Sequence, residues 1–528
     1  MFLIMSAAYV DHELQSEFGR IPPSFLPLGN RRLFQHQVKL APKNSKIYIS
    51  VPDSFNISYT DKEWLKSKDV SVLNIPSGLS LGESLIASLN LSSHSFDSPL
   101  HILFGDTLFL QLPVGENIIG LSEAEGHYNW ASSFNENLDW IREKSKSGEF
   151  DSVVNGYFKI SSPRELIRCI TKAKWNMYAG FSIYNKKIGI QPIQMSGWLD
   201  FGHVNTYYRS KASFTTQRAF NELKITQDWI EKKSIKNDKI EAEANWFAQV
   251  PSSLALFTPQ YLGSEEKEGQ SSYKLEYLYQ TALNELLVFS SLPEHVWERI
   301  LRKCISFLNI CKAEQIKEGC SGSSLMQLFG HKTAARISEY CDLEGISKDS
   351  IWSFNKSYRA SINEIITHSE KYLPNSAVAE PMTIMHGDFC FSNILYDFRT
   401  NRIKVIDPRG MNLCGEKTIY GDVRYDIAKL SHSILGLYDY IIAGYYKVGL
   451  EGQNIFLKID TDDEQYNLQR KYVKLIEQEF GLSEVNLIAM QIQLFLSMLP
   501  LHSDDKARQN ALFANVFRLY GILKGLLK

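Results

Sequence analysis

The chain has 528 residues, too many for one hydrophobic core, so two or three domains are expected. With 44% hydrophobic and 22% charged residues it has ordinary globular composition, and a formal net charge of -2 leaves no basic footprint for a nucleic-acid partner. Seven scattered cysteines form no metal-type pair, and their odd number argues against a disulfide framework, which points to a reducing cytoplasm.

In chain order, the opening run Met1 to Ala8 lacks the basic flank of a signal peptide and meets Asp11-His12-Glu13 at once. It predicts a buried first strand. Pro22-Pro23-Ser24-Phe25 to Asn30 follows not far behind it. Ile47 to Val51 and Leu100 to Phe104 are short apolar runs ended by polar turns, the pattern of buried parallel strands. Leu81 to Leu89 and Arg164 to Trp175 have helical spacing. Such alternation predicts a doubly wound α/β sheet over residues 1–213, with ligands at the carboxyl ends of its strands. Asp106, in Leu103-Phe104-Gly105-Asp106-Thr107, and Asp200, in Gly197-Trp198-Leu199-Asp200-Phe201-Gly202-His203, are exposed-turn carboxylates of the kind that ligate magnesium.

From Phe214 the pattern changes. Phe220 to Thr226 and Asp228 to Ser234 are strand-like and precede a charged helix, Asp238 to Ala248. Period-2 alternation puts Ile230 and Lys232 on one face, with Lys233 on the other as the alternative lysine. Ile240, Glu243, Ala244 and Phe247 share a helical face, so Glu243 points inward and Glu241 outward; Lys232 is expected to pair with Glu243. Gly263 to Ser272 predicts a mobile loop. The extended run Leu275-Glu276-Tyr277-Leu278 would offer backbone groups of Glu276 and Leu278 to an adenine. Helical stretches dominate thereafter, interrupted only by a hairpin region over 384–410. No segment reaches the roughly 18 uninterrupted apolar residues of a membrane span. The nearest, Ile488 to Leu501, is broken by Gln491 and Gln493 and predicts a buried helix.

The hairpin region holds Met385-His386-Gly387-Asp388-Phe389-Cys390-Phe391-Ser392-Asn393 and then Val405-Ile406-Asp407. Phosphoryl transfer needs a carboxylate to take the attacking hydroxyl's proton, and amide and carboxylate oxygens to hold magnesium on the phosphates. Asp388, Asn393 and Asp407 supply that set in order. The motif resembles the aminoglycoside phosphotransferase and choline kinase group. That resemblance implies an α+β bilobal kinase-like domain over 214–528, with a small lobe over about 214–280 and a large lobe over about 281–528. It further implies Asp388 as base, Asn393 and Asp407 on Mg²⁺, and Lys232 with Glu243 orienting the phosphates of ATP. Asp426, in Gly421 to Leu430, reads as a buttress of the catalytic loop. Arg409 either meets a phosphate or anionic substrate or forms a surface salt bridge. Cys390 reads as a small apolar filler.

The Gly-Asp of Asp106, the Trp-x-Asp-x-Gly of Asp200 and the proline-rich stretch together resemble sugar-phosphate and choline-phosphate nucleotidylyltransferases, GT-A-type domains that hold Mg²⁺ on a nucleoside triphosphate. Gly78 to Ser84 falls where that family recognises base and ribose. Two features depart from the pattern: Tyr9 to Glu13 replaces the glycine-rich phosphate loop, and Ser24 stands where the family has lysine. Arg20 is the candidate replacement cation. The expected protein is a cytoplasmic, bifunctional kinase and nucleotidylyltransferase. It would take ATP, CTP or another nucleoside triphosphate, and a small alcohol or sugar, and make an activated donor for surface polysaccharide. The alternative is a kinase whose first domain binds nucleotide or sugar phosphate without turnover.

Overall fold

The computed structural model describes residues 1–124, 151–218, 223–234, 237–316, 325, 327–374, 381–412 and 414–528. Two compact units emerge: Met1–Thr215 with Phe289–Ser291, and Thr216–Val288 with Leu292–Lys528.

The first unit is built on a seven-stranded mixed sheet. Its strands are β1 (Phe2–Met5), β2 (Ile47–Pro52), β3 (Val70–Ile75), β4 (Leu100–Phe104), β5 (Ile118–Ala124), β6 (Asp151–Ile160) and β7 (Gln191–Gln194). They lie in the order β3-β2-β1-β4-β6-β5-β7. The first four are mutually parallel; β6 runs antiparallel to β4 and to β5, and β7 is parallel to β5. Every residue of the central β1 is buried, which is why Phe2-Leu3-Ile4-Met5 shows no polar alternation. Helices Leu81–Leu91, Pro163–Lys172 and Met177–Ile188 bury Leu85, Leu89, Leu166, Ile170 and Phe181 in the core with Leu3, Ile102 and Phe158. Ser80 and Glu83 form a reciprocal capping box that starts the first of these helices. Within the Gly78 to Ser84 stretch, Ser80 and Glu83 thus have a structural part in helix initiation. The chain winds outward from β1 through β2 to β3 and then crosses to β4. The switch point lies between β1 and β4, and Asp106 follows β4 there.

The second unit opens with an antiparallel sheet of β8 (Leu223–Ile225), β9 (Trp229–Lys233), β10 (Tyr261–Lys267) and β11 (Gln270–Glu276), in the order β8-β9-β11-β10. The first three residues of the expected strand, 220–222, lie outside the described residues. Gly263 to Ser272 is not a loop: most of it forms the β10–β11 hairpin, closed by Glu268 and Gly269, both at positive φ. Its glutamates and lysines hide the strand pattern because one face looks outward, while Tyr273 and Leu275 are buried. The helix Asn237–Gln249 packs on this sheet.

Helices Glu294–Ala313, Lys332–Glu344, Val423–Ile434, Asp463–Phe480, Glu484–Met498 and Lys506–Leu526 form most of the remainder. A second departure from expectation is a four-stranded sheet of Ile351–Phe354, Tyr358–Ser361, Tyr446–Glu451 and Asn454–Ile459 inside this helical region. Its strands are short and half exposed; they form two local hairpins that are joined by a parallel pair 101 positions apart in the chain (Phe354 with Ile455), and no local pattern announces that joining. Over Glu484–His502 the chain is long and apolar enough to cross a membrane, yet it is largely buried within the unit. Gln491 and Gln493 are buried too, donating to the Ala428 carbonyl at 2.7 Å and to Ser369 Oγ at 2.9 Å.

Candidate active sites

In the second unit the hairpin Ile394–Asp397/Arg402–Val405 pairs Ile394 with Val405, so the two ends of the motif meet. The Ile406 N–H donates to the Asn393 carbonyl at 3.0 Å, which sets Asp407 beside Asn393. Asn393 Nδ2 donates to Asp388 Oδ2 and to the Asp388 carbonyl, both at 2.9 Å. Three residues here have positive φ: Gly387 at 78°, Asp407 at 56° and Gly410 at 63°. A non-glycine residue held in that region, as Asp407 is, marks a backbone over-determined by its surroundings.

Lys232 reaches Glu243 Oε2 at 2.8 Å and Asp407 Oδ1 at 3.0 Å. Burial opposes its charge, but Asp407 and Glu243 more than offset that and hold its pKa above the ordinary value. Glu243 is fully buried and also accepts from Tyr273 Oη at 2.8 Å, since Tyr273 lies opposite Lys232 in the β9–β11 ladder. Glu241 faces outward to Lys417 and Ser271. Lys429, from the helix Val423–Ile434, meets Asp388 Oδ1 at 2.9 Å. Burial pushes the Asp388 carboxyl up, but Lys429 and the Asn393 amide carry it down to about 2. Asp388 is therefore ionised at neutral pH. Asp426 accepts the His386 and Gly387 N–H groups at 2.6 and 2.7 Å, holding the loop from below; burial raises its pKa to about 7. Burial lowers His386 to about 4 and raises the Cys390 thiol to about 12, so both are neutral.

A cavity of about 390 Å³ opens on Asp388, Asn393 and Asp407, lined also by Lys332, Arg336, Arg409, Tyr425 and Lys429. Glu276 and Leu278 do not line it. The Glu276 N–H is taken by the Gln260 carbonyl at 2.9 Å, and the Leu278 carbonyl accepts from the Gln280 N–H, which leaves the Glu276 carbonyl and the Leu278 N–H as the backbone groups of this run for an adenine. The turn between β8 and β9 is tight, closed by the Thr226 N–H on the Trp229 carbonyl. Lys429, Tyr273, Lys332 and Arg336 were not singled out by sequence. Lys429 could have been found, because it lies one helical turn beyond Asp426 on the same face.

In the first unit the two-residue strands Thr107–Leu108 and Leu199–Asp200 pair antiparallel, Thr107 opposite Asp200, and the Phe201 N–H donates to the Asp106 carbonyl at 2.8 Å. This brings the two carboxylates together. A Cβ at Gly202 would come within 2.9 Å of Asp106 Oδ2 and 3.3 Å of Asp200 Oδ1, so glycine is needed there. Burial raises both carboxyls to about 6, and at Asp106 the charge of Asp200 adds to the rise. Asp200 Oδ2 is buried without a hydrogen-bond partner. A divalent cation fits this pair, since it would satisfy the orphan oxygen and neutralise the mutual repulsion. The departures also have a structure. Asp11 caps the helix His12–Phe18 through the Leu14 N–H and lies 3.4 Å from His203 Nδ1. Ser24 is fully buried, bound to Ser6 and to the Gly105 carbonyl. Arg20 is exposed and stacks on Tyr9, 4.1 Å from the ring centre. Among the described residues no group of three or more His, Cys, Asp or Glu side chains forms a metal cluster. Magnesium at either site would thus need phosphate oxygens and water to complete its shell.

No protein-family model and no curated protein matches the chain. Solved structures similar to it are nucleotidylyltransferases on its N-terminal side and aminoglycoside or sugar kinases on its C-terminal side. A CTP:phosphocholine cytidylyltransferase from Streptococcus pneumoniae is 13% identical, with a TM-score of 0.31 over 40% of this chain and 96% of its own. The streptomycin–ATP complex of an aminoglycoside 2″-phosphotransferase is 14% identical, with a TM-score of 0.33 over 58% of this chain and 94% of its own. A glucosamine kinase is 10% identical, with a TM-score of 0.37 over 57% of this chain and 74% of its own.

Proposed function

We propose that the second unit is an ATP-dependent kinase acting on a small alcohol or sugar. The observation behind this reading is the convergence of Asp388, Asn393 and Asp407 on one cavity, with Lys232 tied to both Glu243 and Asp407. Asp388 accepts the proton of the attacking hydroxyl as its oxygen bonds to the γ-phosphorus and the bond to ADP breaks. Lys232, held by the buried Glu243, orients the α- and β-phosphates. Magnesium, when bound by Asp407 and the Asn393 amide oxygen, neutralises charge on the phosphates.

For the first unit we propose magnesium-dependent binding of a nucleoside triphosphate at Asp106 and Asp200, with CTP the first candidate. With turnover, the two units form a bifunctional cytoplasmic enzyme: the kinase makes a phosphate ester, and the first unit exchanges pyrophosphate for that ester to give a nucleotide-activated donor for surface polysaccharide. The buried Ser24 and the acidic Asp11 favour the second reading, binding without turnover, because neither supplies the cation that phosphate transfer at that place requires.

One titration separates the units. Asp407→Ala is expected to abolish Mg-ATP binding in the kinase, whereas Asp106→Asn with Asp200→Asn removes Mg-dependent CTP binding and leaves kinase turnover intact. Unchanged Mg-ATP affinity in Asp407→Ala would overturn the kinase assignment. Pyrophosphate release with CTP and a phosphorylated acceptor decides for turnover; CTP binding without it decides for a binding domain.

A further inference from the structure

We propose that the kinase acceptor is itself an anion: an alcohol or sugar carrying a phosphate or carboxylate group away from the hydroxyl that is phosphorylated. This inference rests on the kinase reading of the cavity. The cavity's charges divide into two sets. Asp407 and Asp388 each already face a lysine, Lys232 and Lys429. Lys239 is 3.6 Å from Glu243. Lys332, Arg336 and Arg409 also line the cavity, and none of the three forms an ion pair with a carboxylate among the described residues.

These three converge. Lys332 Nζ and Arg409 Cζ each lie 5.9 Å from the centre of the Tyr425 ring. Arg336 stands one turn beyond Lys332 on the helix Lys332–Glu344 and spends one N–H on the Ser497 carbonyl, at 2.9 Å. Burial lowers the Lys332 pKa, and Arg409, Arg336 and Lys429 lower it further, which is the mark of cations facing one another. Tyr425 shows the same field from the other side: burial would raise its hydroxyl, yet Lys429, Lys332 and Arg409 bring it below the ordinary value. His432, the remaining titratable group on the wall, is held neutral by burial at about 3. Leu494, Met498 and Leu501 supply an apolar surface beside the cations.

Three part-buried cations without carboxylates are costly unless a ligand supplies the negative charge. The same cations repel an aminoalcohol or a quaternary ammonium acceptor, so the pocket selects by repulsion as well as by attraction. Arg336 and Arg409 suit the bidentate geometry of a phosphate or carboxylate.

The test uses the full-length protein with Mg-ADP bound, and a matched series of glucose, glucosamine, glucuronate and glucose 6-phosphate, with glycerol, choline and glycerol 3-phosphate as a shorter set. Calorimetry is expected to show the anionic members binding at least about tenfold tighter than their neutral matches, and the cationic members binding weakest. Comparing glucuronate with glucose 6-phosphate distinguishes carboxylate from phosphate. Lys332→Met with Arg336→Met should weaken the anionic members roughly 10- to 100-fold, the range of one or two charged hydrogen bonds, and leave Mg-ADP affinity unchanged. Arg336→Lys, which keeps the charge, should retain the anionic preference if the double variant fails to fold. Neutral or cationic members binding as tightly as the anions, no anionic member binding, or an equal loss of Mg-ADP affinity would overturn the proposal. Failure of the wild-type protein to bind Mg-ADP would instead remove the kinase reading itself.

Discussion

Asp388 is held between a cation and an amide, and the balance sets what its loss should do. Lys429 and Asn393 take one oxygen each, so the carboxylate is ionised and fixed in direction. Asp388→Asn keeps the shape and removes the proposed base. Its kcat should fall on the order of 10²–10⁴, with Mg-ATP affinity nearly unchanged, as read by coupled ADP release and calorimetry. Parent-rate turnover in this variant would leave Asp388 without a role in proton transfer. At this scale the sequence was legible where periodicity and spacing act locally. Glu243 points inward because i, i+3 and i+4 neighbours share a face, and Lys232 was separable from Lys233 by period-2 alternation. Lys332 and Arg336 carried no such sign, since two charges on a helix ordinarily mean a solvated face. Only the placement of Tyr425 and Arg409 turns them toward a cavity.

The loop that carries Asp407 is fixed at the level of elements. A Cβ at Gly410 would lie 2.0 Å from the Ala242 carbonyl oxygen and 3.1 Å from the Glu243 nitrogen, so this loop and the helix Asn237–Gln249 touch through their backbones. At Gly387 a Cβ would meet Arg409 Cβ at 2.6 Å. Gly410→Ala combines a positive φ with a backbone clash. It should cost at least about 1–3 kcal/mol, seen as a lower urea midpoint, and should weaken Mg-ATP binding because Asp407 and Glu243 move apart. A variant with the parent midpoint and affinity would show that the loop adapts freely. The β10–β11 hairpin illustrates the opposite limit. The sequence over Gly263 to Ser272 reads as a mobile loop because of its outward charges, whereas strand identity there depends on packing against a helix.

At the scale of the whole molecule the chain is expected to divide near the helix Val204–Arg218, whose Phe214 ring meets His36 at 5.0 Å within the first unit. A polypeptide of residues 1–218 should fold with a cooperative transition. It should be less stable than the first unit in the intact protein, because it lacks Phe289–Ser291. There the buried Arg32 donates to the Phe289 carbonyl at 2.5 Å, and the Ser291 N–H donates to the Phe18 carbonyl at 2.8 Å. Circular dichroism melts would check this, and an aggregated or non-cooperative product would count against the division. The α/β alternation, the order of the motifs and the choice of Asp388, Asn393, Asp407, Lys232 and Glu243 as candidates could be read from the sequence, and these five side chains do meet in the folded unit. These follow from periodicity and from the short spacing that phosphate chemistry demands. Only the folded chain shows that β6 runs antiparallel, that Asp106 and Asp200 share one buried site, that a small sheet interrupts the helices, and that Lys332, Arg336 and Arg409 line the cavity of Asp388 and Asp407. Each of those depends on residues far apart in the chain meeting at close range, and no local pattern of hydrophobicity or charge encodes such a meeting.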